Sequence, residues 1–430
     1  MTNNKNVSTD AYRGVRDFYP KDWLFQKWLF WKMQEVVESY GYENYNASPL
    51  EYSSLFIAKS GSEIVENETY NLTDRGGREV TLRPEMTPTV ARMIAKKRNE
   101  IPLPIRWYSI PNLFRYEKPQ KGRLREHYQL NVDFFGQKEL SADIEIIEIG
   151  YKIMQNIGAE DKDFVIKINN RKIINKILDH FANSKDDIYE LSKIIDKKNK
   201  ISKEDFKESL EQYTKNADDL IEILENNNFE KIKDIVSGDE IEKTLNLIGT
   251  LKEKGVSNTV FDLSLMRGFD YYTDIVFEFF DTHPENNRSL FGGGRYDDLL
   301  DIFGKEKIPA VGFGMGDVTA RNFLEIRNKM PDLKSKTKIV LIPVSKDFEN
   351  ETEKLAGILR ENKINTELDL LYRKLSRSIN SAEKKNIEFV LLVGENEVQN
   401  QKYNLKNILT QEVFENLSQD ELIEIFKKRN

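Results

Sequence analysis

The chain has 430 residues, of which 39% are hydrophobic and 11% aromatic, so it has enough apolar material for two or three packed domains. It contains no cysteine and only three histidines, which excludes disulfides, thiolate metal sites and cysteine nucleophiles and argues against a structural zinc site. The formal net charge of −7 gives no general attraction to nucleic acid, so any contact with RNA has to come from local basic patches.

The first predicted element is a long helix near a polar amino terminus. In residues 23–40 apolar side chains recur at helical spacing between Pro20 and Gly41, which predicts an amphipathic helix. Residues 45–50, with Pro49 near their end, predict an edge strand, and a helix followed by an edge strand suits a dimer contact. No apolar run approaches the roughly 18 residues that span a bilayer, so we expect a cytoplasmic protein without a membrane segment.

Short apolar segments separated by polar loops then predict an antiparallel sheet. These segments are residues 80–82, 106–110, 113–117 and 129–135. Residues 164–169 and 274–280 predict two more strands, whereas the highly charged stretch between them shows helical periodicity. We therefore expect one domain, built from residues 1–170 and 255–330, with a helical insertion at residues 171–254.

The pattern changes in the last hundred residues. Short apolar strands at residues 339–343, 366–370 and 389–393 alternate with helices, the first of which carries Leu355 and Leu359 on one face. Alternation of this kind predicts a separate α/β domain, to which we assign residues 336–430.

The most informative stretch for chemistry is residues 114–134, in which two predicted strands flank a basic loop. Period-two spacing brings several polar side chains to one face of the sheet. They are Arg115, Glu117, Gln129, Asp133 and, in the loop, Arg123. An arginine fork can bind phosphate oxygens in a bidentate manner and a carboxylate can accept a hydrogen bond from a base amino group, so a nucleotide would fit. A solvated hairpin with surface ion pairs explains the same residues equally well.

Other segments place reactive side chains or glycines beside predicted strands. Glu85 and Thr87 follow the strand at residues 80–82 and can hold an ammonium group. The remaining segments are residues 267–273, the glycine-rich residues 292–297 and residues 311–317. Glycines allow a close approach of backbone or ligand, although a glycine run is also typical of turns and tight packing.

Together these motifs resemble the histidyl-tRNA synthetases, a branch of the class II aminoacyl-tRNA synthetases. The likeness begins at residues 12–20 and covers nearly the whole chain, although in the insertion it is limited to position and helical character. Residues 267–272 and 293–297 are typical of the histidyl branch and its paralogue, whereas residues 114–117 are shared by the whole class. The resemblance implies an α+β fold with an antiparallel sheet flanked by helices, a homodimer through residues 41–49 and a C-terminal anticodon-binding α/β domain.

The family reaction that the resemblance implies joins L-histidine and ATP into histidyl-adenylate and pyrophosphate, and then transfers histidine to the terminal adenosine of tRNA(His). Arg115 would hold the α-phosphate, Glu117 the adenine amino group, and Arg267 the charge between the carboxylate and the α-phosphate. The histidine-binding positions match Glu85, Met86, Thr87, Gln129, Asp133, Arg267, Tyr271, Tyr272 and Tyr296. Further ATP-binding candidates are Arg123, His127 and Arg321, and Gln120 and Arg125 are candidates for contacts with the tRNA acceptor end. Any metal is expected to be Mg²⁺ bound to the nucleotide, with no metal site of the protein.

The chain departs from the family pattern in its third motif. That motif normally ends in a Glu-Arg pair whose arginine binds the γ-phosphate, but the matching positions here are Val318 and Thr319. Arg321 lies two residues later, about 200° further around a regular helix. His127 also stands where the family often has a phenylalanine that stacks on adenine.

Two other functions compete with a histidyl-tRNA synthetase. One is the regulatory subunit of ATP phosphoribosyltransferase, a paralogue that keeps the histidine-binding fold as a sensor but generally lacks the C-terminal domain and catalytic arginines. This chain has Arg115, Arg267 and a C-terminal α/β region, and only the missing third-motif arginine favours the sensor. The other is a prolyl or threonyl synthetase, against which residues 267–272 argue.

Overall fold

The structure, a computed structural model, describes residues 7–60, 68–120, 122–198, 201–227, 229–236, 238–266, 272–286 and 288–429. It divides into two compact units, Met1–Met330 and Pro331–Asn430. Each unit has its own sheet and its own hydrophobic core. Within the described ranges, every helix is too short or too polar to cross a membrane.

The first unit is built on a nine-stranded sheet with the order β1-β5-β7-β12-β11-β10-β8-β9, in which β6 also pairs with β7. A separate three-stranded sheet has the order β2-β4-β3. The strands are β1 (Glu43–Asn44), β2 (Leu50–Tyr52), β3 (Tyr70–Thr73), β4 (Glu79–Leu82), β5 (Ile105–Ser109), β6 (Asn112–Phe114), β7 (Glu126–Phe135), β8 (Phe164–Asn170), β9 (Thr259–Phe261), β10 (Ile275–Asp281), β11 (Ser289–Arg295) and β12 (Ala310–Gly316). The large sheet is antiparallel except at its two edges, where β1 and β9 each pair in parallel with their neighbours.

Four helices precede β8 in the described part of this unit, and the first of them matches the predicted amphipathic helix. They are α1 (Pro20–Ser39), α2 (Ser53–Ser60), α3 (Thr87–Lys96) and α4 (Leu140–Asn156). Proline is favoured in the first turn of a helix, where its missing N–H has no partner to lose, so α1 begins at Pro20. Its buried stripe includes Phe25, Leu29 and Met33, and α1 packs on α4, which in turn contacts β7 and β12.

Two strand predictions in the first unit were wrong in extent, and in the second unit the strand predicted at residues 366–370 ends at Leu368. Residues 45–49 do not form a strand, because local side-chain bonds replace the ladder there: Ala47 N–H donates to Asn46 Oδ1 (2.8 Å) and Leu50 N–H to Ser48 Oγ (3.1 Å). The strand predicted at residues 113–117 ends at Phe114. Beyond it the chain turns tightly, and Glu117 N–H donates to the carbonyl of Arg115 (2.8 Å).

The stretch between β8 and β9 is helical, as its periodicity predicted. Its helices are α5 (Arg171–Phe181), α6 (Asp187–Asp196), α7 (Lys203–Glu211), α8 (Ala217–Asn226), α9 (Phe229–Ile235) and α10 (Gly238–Glu253). They enclose a core that includes Ile177, Leu210 and Leu220. Side-chain oxygens of Ser202 and Asn216 accept N–H bonds at the starts of α7 and α8, which fixes where these two helices begin. After β12 the first unit ends with α11 (Asp317–Ile326).

The second unit has a five-stranded sheet with the order β14-β13-β15-β16-β17. Its elements are β13 (Ile339–Pro343), α12 (Glu349–Glu361), β14 (Thr366–Leu368), α13 (Leu375–Lys384), β15 (Phe389–Val393), α14 (Glu395–Asn400), β16 (Tyr403–Asn407), β17 (Val413–Leu417) and α15 (Gln419–Lys427). The three predicted strands pair in parallel and bury Ile339, Leu341 and Phe389. β16 and β17 add an antiparallel edge, which the mostly polar sequence of these two strands did not predict.

Candidate active site

A row of glycines across β11 and β12 forms the floor of the candidate site beside β7. Gly312 pairs with Asp133 on one side and Gly294 on the other. A Cβ atom at Gly312 would lie 2.6 Å from Asp133 Oδ1 and 2.9 Å from the Tyr296 hydroxyl, and one at Gly294 would lie 2.8 Å from the Tyr272 ring. Only glycine therefore leaves room for these side chains above the sheet. The glycine run belongs to β11 and is not a turn.

Asp133 is a buried carboxylate with one oxygen uncommitted. Its side chain sits in β7, and the Tyr296 hydroxyl donates a short hydrogen bond to Oδ1. Oδ2 is buried and has no hydrogen-bond partner among the described residues. Burial raises the pKa of Asp133 to about 7, although the bond from Tyr296 works in the opposite direction. A buried acceptor of this kind is stabilised by a donor that a ligand brings.

Aromatic side chains line the walls around Asp133. The rings of Tyr272 and Tyr296 lie 6.5 Å apart. Tyr45 packs in the same cluster as Tyr296 and Met86, and its ring lies 5.5 Å from that of Trp107. Burial and the nearby charge of Asp133 raise the pKa of Tyr45 well above its ordinary value. Sequence reasoning missed Tyr45 as a site residue, because it assigned that residue to an edge strand.

The remaining predicted histidine-binding residues lie on β7 and at the start of α3. The side chain of Gln129 is 2.9 Å from where a Cβ atom of Gly314 would stand, so it lies over the same glycine floor. Glu85 precedes α3 and is partly exposed, Thr87 is the first residue of that helix, and Met86 between them is fully buried. The structure thus brings Gln129, Asp133, Tyr272 and Tyr296 together. Arg267 and Tyr271 lie outside the described residues.

The β6–β7 hairpin carries the predicted nucleotide-binding residues. Arg115 Nε donates to the carbonyl of Pro84 (3.0 Å), which holds the guanidinium next to the loop of Glu85. Arg115 and Glu117 lie beyond the end of β6, so they reach the site through a turn and not through the predicted strand alternation. Glu117 accepts a bond of 3.4 Å from Arg123.

His127 is neutral over the physiological pH range. Its burial, the charge of Arg115 and the charge of Arg16 together lower its pKa to about 3. The ring lies on β7 opposite Leu113 of β6, within the influence of both guanidinium groups. A neutral imidazole near two arginines adds no further positive charge to this part of the site.

The two residues predicted to meet the tRNA acceptor end lie at the tip and the base of the hairpin. Gln120 exchanges two backbone hydrogen bonds with Arg123 (3.0 and 2.9 Å) and closes the tip. Arg125 donates to the carbonyl of Glu117 (3.1 Å) and to the Tyr12 hydroxyl (2.9 Å), so it ties the hairpin to the amino-terminal segment. A cleft of about 810 Å³ opens beside the loop, lined in part by Arg123, Ser289 and Asn322.

The start of α11 lacks the arginine of the third motif, as the sequence indicated. Thr319 Oγ1 donates to the carbonyls of Leu290 (2.8 Å) and Gly316 (3.0 Å) and so serves the backbone. Arg321 forms ion pairs with Glu325 (2.7 Å) and with Asp22 of α1 (3.5 Å). The γ-phosphate role proposed for Arg321 would require at least one of these ion pairs to open.

Comparison with known proteins decides the family. A family model described as histidyl-tRNA synthetase matches residues 14–317, and one described as an anticodon binding domain matches residues 338–429. The chain belongs to the histidyl-tRNA synthetase family. The resemblance drawn from the motifs, and the α+β fold class that it implied, are thereby confirmed.

Similar proteins of this family come from bacteria and archaea. The histidine–tRNA ligase of Leptospira biflexa is 42% identical over 418 residues, which are 95% of each chain. That of Haloarcula marismortui is 36% identical over 409 residues, or 93% of each chain. The crystal structure of histidyl-tRNA synthetase from Nostoc sp. PCC 7120 has a TM-score of 0.85 and covers 99% of this chain and 100% of that chain at 23% identity, which supports the fold.

Asp133→Asn is expected to stabilise the unliganded protein, and more so at high pH. Because the folded-state pKa of about 7 lies above the ordinary aspartate pKa of 3.8, folding above pH 7 keeps a charge buried, which costs about 2–4 kcal/mol. That cost shrinks as the pH falls below 7 and vanishes only below about pH 4, where the carboxyl becomes protonated in the unfolded state as well. Urea unfolding of both proteins at pH 8 and pH 5 measures the difference, and an equal gain at both pH values would contradict the shifted pKa.

Proposed function

We propose that this chain is a histidine–tRNA ligase, which activates L-histidine with ATP to histidyl-adenylate and transfers the histidyl group to the 3′ end of tRNA(His). The proposal is carried by the 42% identity to a histidine–tRNA ligase over 95% of both chains. The anticodon-binding family match at residues 338–429 supports tRNA as the acceptor.

The choice of histidine as substrate is supported by the Asp133–Tyr296 pair. An imidazole N–H can donate to Asp133 Oδ2, which has no hydrogen-bond partner among the described residues, and the Tyr296 hydroxyl, which donates to Oδ1, holds that carboxylate in place. We assign the imidazole to Asp133, Tyr272 and Tyr296, with Tyr271 lining the pocket. The positions assigned to the ammonium end are Glu85, Met86, Thr87 and Gln129.

ATP would lie on the hairpin side of the same floor. In the first step a carboxylate oxygen of histidine attacks the α-phosphorus and pyrophosphate leaves, so negative charge builds up on the α-phosphate oxygens. We assign Arg115 and Arg267 to that charge, since preorganised cations stabilise it without reorganisation. Glu117 is assigned to the adenine amino group, His127 to the adenine face, and Arg123 and Arg321 to the outer phosphates. Mg²⁺ would enter as part of the nucleotide substrate.

In the second step a hydroxyl of the terminal adenosine attacks the activated carbonyl and AMP leaves. Gln120 and Arg125 are assigned to the acceptor end, next to the cleft of about 810 Å³ beside the hairpin. This reaction implies a cytoplasmic location.

A homodimer is part of the same proposal. It is supported by β2, which is an edge strand of the three-stranded sheet and exposes Leu50 and Tyr52. Trp31 of α1 is a further exposed aromatic residue. Large apolar side chains on an edge strand or on the exposed face of a helix are suited to burial by a second subunit.

Pyrophosphate exchange into ATP, measured with each of the twenty amino acids, tests the first step. We expect histidine to support exchange and the other amino acids to be slower by about 10⁴-fold or more, because a site that hydrogen-bonds the side chain leaves buried polar groups unpaired with the wrong substrate. If proline or threonine gave the fastest exchange, that amino acid and not histidine would be the substrate. Absence of exchange with every amino acid would favour the histidine-sensing regulatory subunit.

A further inference from the structure

An ion pair ties the amino-terminal segment to the first residue of α11. Arg16 Nη2 donates to Asp317 Oδ2 (2.7 Å), although the two residues are 301 positions apart. Asp317 is buried, and its carboxylate also accepts from Gln26 Nε2 (3.0 Å) and from Tyr128 N–H (2.9 Å). The bonds from Gln26 and Tyr128 hold the carboxylate of Asp317 in place, and this carboxylate in turn orients the guanidinium of Arg16.

Among the described residues, the guanidinium of Arg16 is hydrogen-bonded through one of its three nitrogens. The guanidinium carbon of Arg16, Cζ, lies 4.8 Å from the centre of the Phe18 ring, so this ring packs against the guanidinium group. Nε is buried without a hydrogen-bond partner in the described part of the chain, and the side chain as a whole is 22% exposed. A positioned arginine with uncommitted donors is typical of an anion-binding residue and costs stability if it stays unpaired.

Arg16 lies at the nucleotide side of the site. Tyr128, which shares the carboxylate of Asp317 with Arg16, directly follows His127 on β7. The charges of Arg16 and Arg115 both act on His127, whose ring we assign to the adenine face. The two arginines come from different parts of the chain.

The start of α11 offers no uncommitted cation for this task. Val318 is apolar, Thr319 bonds to backbone carbonyls, and Arg321 is engaged with Glu325 and Asp22. We propose that Arg16 binds the outer phosphates of ATP and replaces, from the amino-terminal segment, the third-motif arginine that α11 lacks. Asp317 is then a positioning residue, since it occupies the start of the same helix and holds the replacement. The inference rests on the proposed function for its substrate.

The test compares Arg16→Ala with Arg106→Ala in the 430-residue chain. Arg106 is a matched control, because its guanidinium also forms an ion pair, with Glu145 (2.8 Å), and lies over an aromatic ring, that of Phe134 (4.6 Å), and it is not assigned to either substrate. For Arg16→Ala we expect the KM for ATP in pyrophosphate exchange to rise at least tenfold and kcat to fall at least tenfold, with the KM for histidine changed less than twofold. Arg16→Lys should recover only part of the loss, because a point charge does not reproduce the fork. Arg106→Ala should stay within threefold of the parent protein. A loss with Arg106→Ala as large as that with Arg16→Ala, or a larger loss with Arg321→Ala than with Arg16→Ala, would overturn the proposal.

Binding of ATP and of AMP, measured by calorimetry, separates a phosphate contact from a structural role. Arg16→Ala should weaken the binding of ATP at least tenfold, whereas the affinity for AMP should stay within twofold of that of the parent protein. Equal weakening of both nucleotides, or a parallel rise in the KM for histidine with a lower melting temperature, would overturn the assignment. If Arg16→Ala does not fold, Arg16→Lys carries the same comparison. Parent protein that binds ATP but exchanges with no amino acid would contradict the proposed function and leave the ATP-to-AMP contrast decisive for Arg16.

Discussion

Arg115→Ala is expected to lower the rate of histidine-dependent pyrophosphate exchange by about 10²–10³-fold, mainly in kcat. Its Nε is bound to the carbonyl of Pro84 at 3.0 Å, so the guanidinium is already oriented before the substrates arrive. Removing one preorganised donor from a developing anionic charge typically costs about 3–4 kcal/mol in the transition state. Steady-state exchange at varied ATP and histidine concentrations separates kcat from the two KM values.

The control for Arg115 is a second arginine of the same hairpin. Arg123 is 65% exposed and meets Glu117 at 3.4 Å, so water screens most of what its charge contributes. We expect Arg123→Ala to change kcat less than tenfold, and Arg115→Lys to stay near the alanine variant because lysine lacks the planar fork. Equal losses for Arg115→Ala and Arg123→Ala would show that only the general positive charge of the hairpin matters.

Local sequence patterns predicted those parts of the site that depend on a single element. The period of two along β7 correctly predicted that Gln129 and Asp133 share a face, because β7 is regular over ten residues. The same reasoning was wrong for Arg115 and Glu117, since β6 stops after three residues and the chain then turns. Strand length depends on which neighbour continues the ladder, and a local pattern does not contain that information.

Contacts between distant segments could not be predicted from the sequence. Arg16 and Asp317 are joined only when α11 packs beside β7, and no spacing along the chain links them. Tyr45 reaches the site because residues 45–49 leave the ladder, and β1 and β9 add parallel edges to a sheet predicted to be antiparallel. The family resemblance predicted the overall arrangement, whereas these contacts depend on how distant segments of the chain pack together.

Arg295→Ala is expected to destabilise the first unit by about 3–5 kcal/mol, because it leaves a buried carboxylate without its cation. Both side chains of the pair are almost completely buried, and Arg295 donates to both oxygens of Asp143. It also donates to the carbonyls of Gln137 (2.8 Å) and Glu139 (3.3 Å), so the loop between β7 and α4 depends on the same guanidinium. Urea unfolding followed by tryptophan fluorescence measures the loss.

A double-mutant cycle separates the ion pair from simple loss of packing. If the cost of Arg295→Ala comes from the stranded charge of Asp143, then Asp143→Asn in the same chain should recover part of it, because the buried group is then neutral. Lys307→Ala is the control, since that lysine is 60% exposed beside Asp298 and its removal should cost less than about 1 kcal/mol. Strictly additive losses for Arg295→Ala and Asp143→Asn would mean that the two residues stabilise the unit independently. A sub-additive loss would show that Arg295 stabilises the unit by neutralising Asp143. The next residue in the chain is Tyr296, which donates the hydrogen bond to Asp133, so the same ion pair would help to position the candidate site.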